Sequence, residues 1–188
     1  MVTESPIFIT VLLFVASSAA ASAAWSTYWF NNKSYKRNGL LEAFKLLSES
    51  GHRESRRVVY ALHDQYNSNR DEKIFIESDL NRRAVEMVRA DFDQMGTFVR
   101  NRSITKNDFL NAYGETVFRC WRALEPHILT ERQQRHFEYY MKNFEWLSDE
   151  AIKYWQKRGF DLTSESLIPG YTTELHYHII SCLHLYEV

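Results

Sequence analysis

No charged side chain occurs between Glu4 and Lys33. In a chain that is 25% charged, a gap of that length restricts the segment to surroundings where charge is unwelcome, a protein core or lipid. Residues 7–30 read IFITVLLFVASSAAASAAWSTYWF. As a helix at ~1.5 Å per residue the stretch is ~36 Å long, against a hydrocarbon core of ~30 Å. Trp25, Tyr28, Trp29 and Phe30 gather at its end, where amphipathic rings take the headgroup level, and Lys33, Lys36 and Arg37 follow directly. Ahead of it stand only Glu4 and the chain's own amine. The positive-inside rule then predicts a single-pass transmembrane helix, its N-terminus outside and the rest cytoplasmic. The competing reading is a cleaved export signal, with residues 7–15 as the apolar region and Ala21-Ser22-Ala23 as the cleavage site. The missing Lys or Arg ahead of residue 7 speaks for a retained anchor. Ser17, Ala20, Ala21 and Ala24 recur at helical spacing, a small-residue face suited either to packing on another span or to plain contact with lipid.

Beyond this anchor and its basic flank (residues 1–37), the chain has the apolar and aromatic content of a packed domain, 45% and 15%. With 6 Gly and 3 Pro in 188 residues, turns are scarce and long helices are favoured. The expected fold is all-α: an antiparallel helical bundle over residues 38–159, then a tail over 160–188 with a short closing helix near 175–185.

Apolar spacing marks the helices. Leu40, Phe44 and Leu47 share one face of a run between Gly39 and Gly51. A second helix spans 54–66 with Val59, Leu62 and Tyr66 inward. A third covers about 72–100 with the stripe Leu80, Ala84, Val88, Phe92, Met95 and Val99; Ile74, Phe75 and Ile76 either join it or form a separate turn. Thr105 and Asp108 resemble a capping box before a helix carrying Phe109, Tyr113, Val117, Cys120 and Leu124, which Pro126 ends. Thr130 and Gln133 then cap the longest helix, 131–158, with Phe137, Tyr140, Phe144, Leu147, Ala151 and Tyr154 on its buried face. Glu138–Lys142 and Asp149–Lys153 pair on the other face, and Gly159 closes the helix.

Four stretches carry a family resemblance: HRESRRVVYAL from His52, DFDQMGTFVRN from Asp91, YGETVFRCWRALEPHI from Tyr113 and ERQQRHFEYYMKNFEWL from Glu131. Between residues 50 and 159 the chain resembles the domain-of-unknown-function 4760 family. That resemblance implies an N-terminal membrane helix and a helical domain, and it implies no activity.

Charges set among apolar positions are the strongest local signal. Asp91 lies between Val88 and Phe92, Arg56 precedes an apolar run, Glu115 sits one turn before Arg119, and Arg119 and Arg122 flank Cys120 and Trp121. A carboxylate on a packed face needs a partner, so Asp91 is expected to pair with Arg119 or Arg56 across the bundle as a structural ion pair. Asp91, Asp93 and Gly96 lack the rest of a calcium-loop pattern. His176, His178 and His184 cluster with Cys182; in a strand His176 and His178 share a face and could ligate a metal, but no acidic or Cys pair completes a tetrahedral set, so they read as interface or packing histidines. Cys120 reads as a buried apolar residue, and two cysteines make no disulfide framework.

Phosphate loops, nucleophile elbows and HExxH are missing. Net charge is −1 with bases interleaved among acids, so nucleic acid is no partner. The leading expectation is a non-enzymatic, cofactor-free accessory or interaction subunit, in contact with lipid and with other membrane proteins. Trp146 and Trp155 are its candidate contact rings. Alternatives are a ligand-binding or enzymatic domain centred on Asp91, Glu115, Arg119 and Arg122, or an exported helical domain.

Overall fold

The computed structural model describes residues 6–69 and 71–163. The tail histidines, Cys182 and the helix expected near 175–185 lie outside the described residues. Those described are all-helical: α1 (Pro6–Ser48), α2 (Ser50–Asn69), a 3-10 turn (Glu72–Phe75), α3 (Asp79–Arg100), α4 (Lys106–Arg135) and α5 (Lys142–Gln156).

α1 is one unbroken helix that crosses the expected anchor boundary at residue 37 and continues past Gly39. Only its last turns meet the bundle: Ala43 and Leu47 are buried, with Leu40 and Phe44 packed at the edge. A Cβ on Gly39 would stand 3.0 Å from the Ser103 carbonyl oxygen, so the α3–α4 turn rests on α1 there.

α3 packs on α2 and α5, and α4 packs on α5 and α2. The α3 stripe is buried as its spacing requires from Ala84 to Val99, while Leu80, in the first turn, is exposed. Ile74–Ile76 forms the separate turn, and its Phe75 is buried against Tyr66 and His127. Ser78 caps α3 by accepting from the Asn81 amide. Thr105 begins α4 without a side-chain cap.

Two sequence expectations fail at α4. Pro126 does not end it; the helix runs on through Arg135. The proline removes the donor for the Arg122 carbonyl, and Arg122 is on the exposed face, while Leu124, His127 and Ile128 are buried around it. Core packing on both sides of the proline outweighs the local cost. The expected 131–158 helix is instead split: Thr130 and Gln133 lie inside α4, and the chain turns between His136 and Met141, both at positive φ (50° and 55°). Phe137 is consequently exposed. The expected pairs at Lys142 and Lys153 re-register onto Glu145 and Glu150.

Asp93 on α3 explains where α5 starts. Its Oδ1 accepts the Asn143 and Phe144 amides at 3.0 and 3.1 Å, so the N-cap of α5 comes from another helix. Gly96, one turn on, makes room for this. A Cβ there would lie 2.3 Å from the Asn143 carbonyl oxygen. Arg132 ties the turn from the other side, donating to the Tyr140 carbonyl and pairing with Glu145 at 3.0 Å.

Candidate functional site

His52 and Arg56 stand one turn apart on α2 and face α3 and α4. The partner of Asp91 is His52, whose Nδ1 lies 2.7 Å from Oδ2; the expected pairing with Arg119 or Arg56 does not form. Asp91 is 6% exposed, and burial raises its carboxyl above the usual range against the opposing pull of His52 and Arg56. Arg56 is 8% exposed and donates through Nη2 to the Leu47 carbonyl at 2.7 Å, at the end of α1, while its Nη1 has no partner.

Arg119 instead pairs within its own helix with Glu115 (3.6 Å) and lies over the Tyr60 ring at 4.7 Å. The Cys120 thiol donates to the Tyr60 hydroxyl at 3.4 Å. Burial pushes that thiol up to about 12, and burial followed by Cys120 drives the Tyr60 phenol above its usual range. A thiol so placed is held in its protonated, weakly nucleophilic form. Arg122 is exposed and forms no ion pair among the described residues. The five charges singled out from sequence therefore do not converge on one reactive centre.

A second buried network went unread in the sequence. Arg89, 5% exposed on α3, reaches Glu131 on α4 at 2.7 Å, and His127 and Arg135 flank the same carboxylate. Burial alone would raise the Glu131 carboxyl; Arg89, a hydrogen bond from Tyr140, His127 and Arg135 hold it below the usual range. Arg89 sits between Val85 and Phe92 at helical spacing, and that signal was available. Among the described residues, no group of three His, Cys, Asp or Glu is arranged to hold a metal ion.

Beside the Asp91 network, a cleft of about 300 Å³ opens between the end of α1, the start of α2, α4 and the last turn of α5. Arg53, Arg56, Asn111, Tyr113, Glu115 and Trp155 are among its lining residues. Trp155 is thus a wall of this cleft and 6% exposed, not an outer contact ring; Trp146 is half-buried under Arg100.

The opposite character marks the first half of α1. Leu13, Phe14, Val15, Trp25, Tyr28, Trp29 and Phe30 are 59–74% exposed. The small-residue positions Ser17, Ala20, Ala21 and Ala24 are exposed too, as are Lys33 and Arg37, while Lys36 is half-exposed. Among the described residues no helix is long and apolar enough to cross a membrane. From Leu13 on, Ser17, Ser18, Ser22, Ser26 and Thr27 interrupt the apolar run. Each of the five donates its hydroxyl to a carbonyl three or four residues back, at 2.9–3.0 Å.

The family model described as Domain of unknown function (DUF4760) matches residues 13–151, from this exposed stretch of α1 into α5. The chain belongs to the DUF4760 family. The matched region takes in both the outlying half of α1 and most of the bundle. No match to the chain was found among curated proteins or solved structures.

Proposed function

We propose that this DUF4760 protein is a membrane-tethered, non-enzymatic accessory or interaction protein, held in the bilayer by residues 7–30 with its bundle on the cytoplasmic side. The observation that carries the reading is the uncovered apolar half of α1. An exposed run of this size, with four aromatic rings at one end, is expensive in water and needs a cover. Lipid suits it better than a second protein surface, because rings and bases follow one another in the order of a bilayer interface. The hydroxyls that lower the hydropathy of the segment are spent on their own helix, so hydrocarbon would meet no unsatisfied donor. Ahead of them, residues 7–12 (IFITVL) are strongly apolar in sequence.

Partners through the Ser17/Ala20/Ala21/Ala24 face, or through the bundle surface, belong to the same proposal. The test is fractionation of cells expressing the full chain, with intact-mass analysis. The proposal expects the protein to stay in membranes through an alkaline carbonate wash, with its first residues in place. Release by carbonate overturns the tether. A mature chain beginning near Ala24, or digestion of the bundle by protease added outside intact cells, replaces it with the exported form.

A further inference from the structure

The cleft beside α2 contains a charge that the fold compensates only in part. Arg56 is always ionised, is 8% exposed, and forms no ion pair among the described residues. Its fold role, the bond from Nη2 to the Leu47 carbonyl, engages one nitrogen and leaves Nη1 buried without an acceptor. A buried guanidinium without a carboxylate is a costly arrangement unless something else supplies the negative charge. Asp91, the buried acid that feels Arg56, has its Oδ2 on His52 and forms no ion pair with the guanidinium, so it offsets the charge only in part.

The rest of the wall has the same polarity. Arg53 lines the cleft, is exposed and has no ion pair among the described residues. The only acid among the lining residues is Glu115, and Arg119 pairs with it from outside the cleft. Trp155 lines the cleft, and its indole N–H, packed on Gly114, is buried without a partner. The Ser48 and Tyr113 hydroxyls, 3.1 Å apart, and the Asn111 amide complete a wall rich in donors. The volume, about 300 Å³, lies at the small end of ligand sites.

We propose that this cleft binds a small anion, carboxylate or phosphate, whose charge is taken up by Arg56 and Arg53 with Trp155 and Tyr113 beside it. The proposal is independent of whether residues 7–30 enter lipid. Guanidinium groups match both oxyanions through paired N–H donors, so the shared chemistry is an oxyanion of a few heavy atoms. Its source is either a free metabolite-sized anion or a phospholipid headgroup.

The test uses the full-length chain in mild detergent, titrated separately with inorganic phosphate, succinate and dihexanoyl phosphatidate. Binding is followed by calorimetry and by the Trp155 indole 15N–1H resonance. At least one probe is expected to give a saturable shift of that resonance, with a midpoint at or below about 1 mM. A response to phosphate or succinate identifies a free anion; a response to phosphatidate alone identifies the headgroup. Arg56→Gln should weaken binding by about tenfold or more, and Arg53→Gln by less. Arg122→Gln, outside the cleft, should leave it unchanged. Should Arg56→Gln fail to fold by circular dichroism, the exposed Arg53 decides alone. No saturable response to any of the three probes overturns the proposal, as does wild-type affinity in the Arg53 variant or in a folded Arg56 variant.

Discussion

Asp93 and Asp91, two residues apart on α3, do different work. Asp93 supplies the N-cap of α5, so Asp93→Ala should lower stability by about 1–2 kcal/mol in urea unfolding. Gly96→Ala should cost about as much or more, because the added methyl meets backbone rather than a flexible side chain. Asp91→Ala leaves the His52 Nδ1 without its acceptor and should cost about 1–3 kcal/mol; a loss well under ~1 kcal/mol contradicts a structural pair. The buried Asp91 and the half-buried Glu131 predict opposite pH effects. Asp91, raised in the fold, holds its proton more tightly there than in the unfolded chain, so it erodes stability as pH rises from the ordinary aspartate range to its folded value. Glu131, lowered in the fold, contributes fully above its ordinary 4.5, and that contribution is lost as pH falls through its folded value. The stability gap between wild type and Glu131→Gln should therefore shrink on acidification, measured by urea midpoints across pH. At this scale the burial of Asp91 was legible in its stripe, but its partner was not. His52 and Arg56 lie on the same face of α2, one turn apart, and only the packing decides which of them meets the carboxylate.

Helices whose boundaries follow from their own residues were read correctly in outline. α3 keeps its stripe because a 3–4 spacing leaves a single face to bury, and Leu80 escapes only because it precedes the packed part. The α4–α5 break was illegible for a physical reason: no Gly or Pro marks residues 136–141, and the cap that starts α5 comes from Asp93 on α3. Pro126 misled in the opposite direction, since the core on either side of it decides the helix. The resemblance to DUF4760 was readable from four stretches, and the family match bears it out. α1 offers an element-scale prediction. Among its described residues burial begins at Ala43, so removing residues 1–32 should leave the bundle's thermal midpoint within a few degrees, by circular dichroism. A collapse of the transition would mean that the outlying half of α1 supports the core.

Taken whole, the molecule is a packed helical body with one long helix extending from it, and DUF4760 spans both. The body has its own core and a donor-lined cleft. Among the described residues the extension has neither cover nor charge until Lys33, and the proposed tether would place it in lipid. Tryptophan emission reports on that assignment directly. Of the 5 tryptophans, Trp25 and Trp29 stand on the exposed half of α1, while Trp121, Trp146 and Trp155 belong to the bundle. In vesicles of dibrominated phosphatidylcholine, bromine quenches only rings in contact with the acyl region. Quenching is expected in the full-length chain and should disappear in the Trp25→Phe/Trp29→Phe variant; no quenching, or quenching that the double replacement leaves intact, overturns the tether.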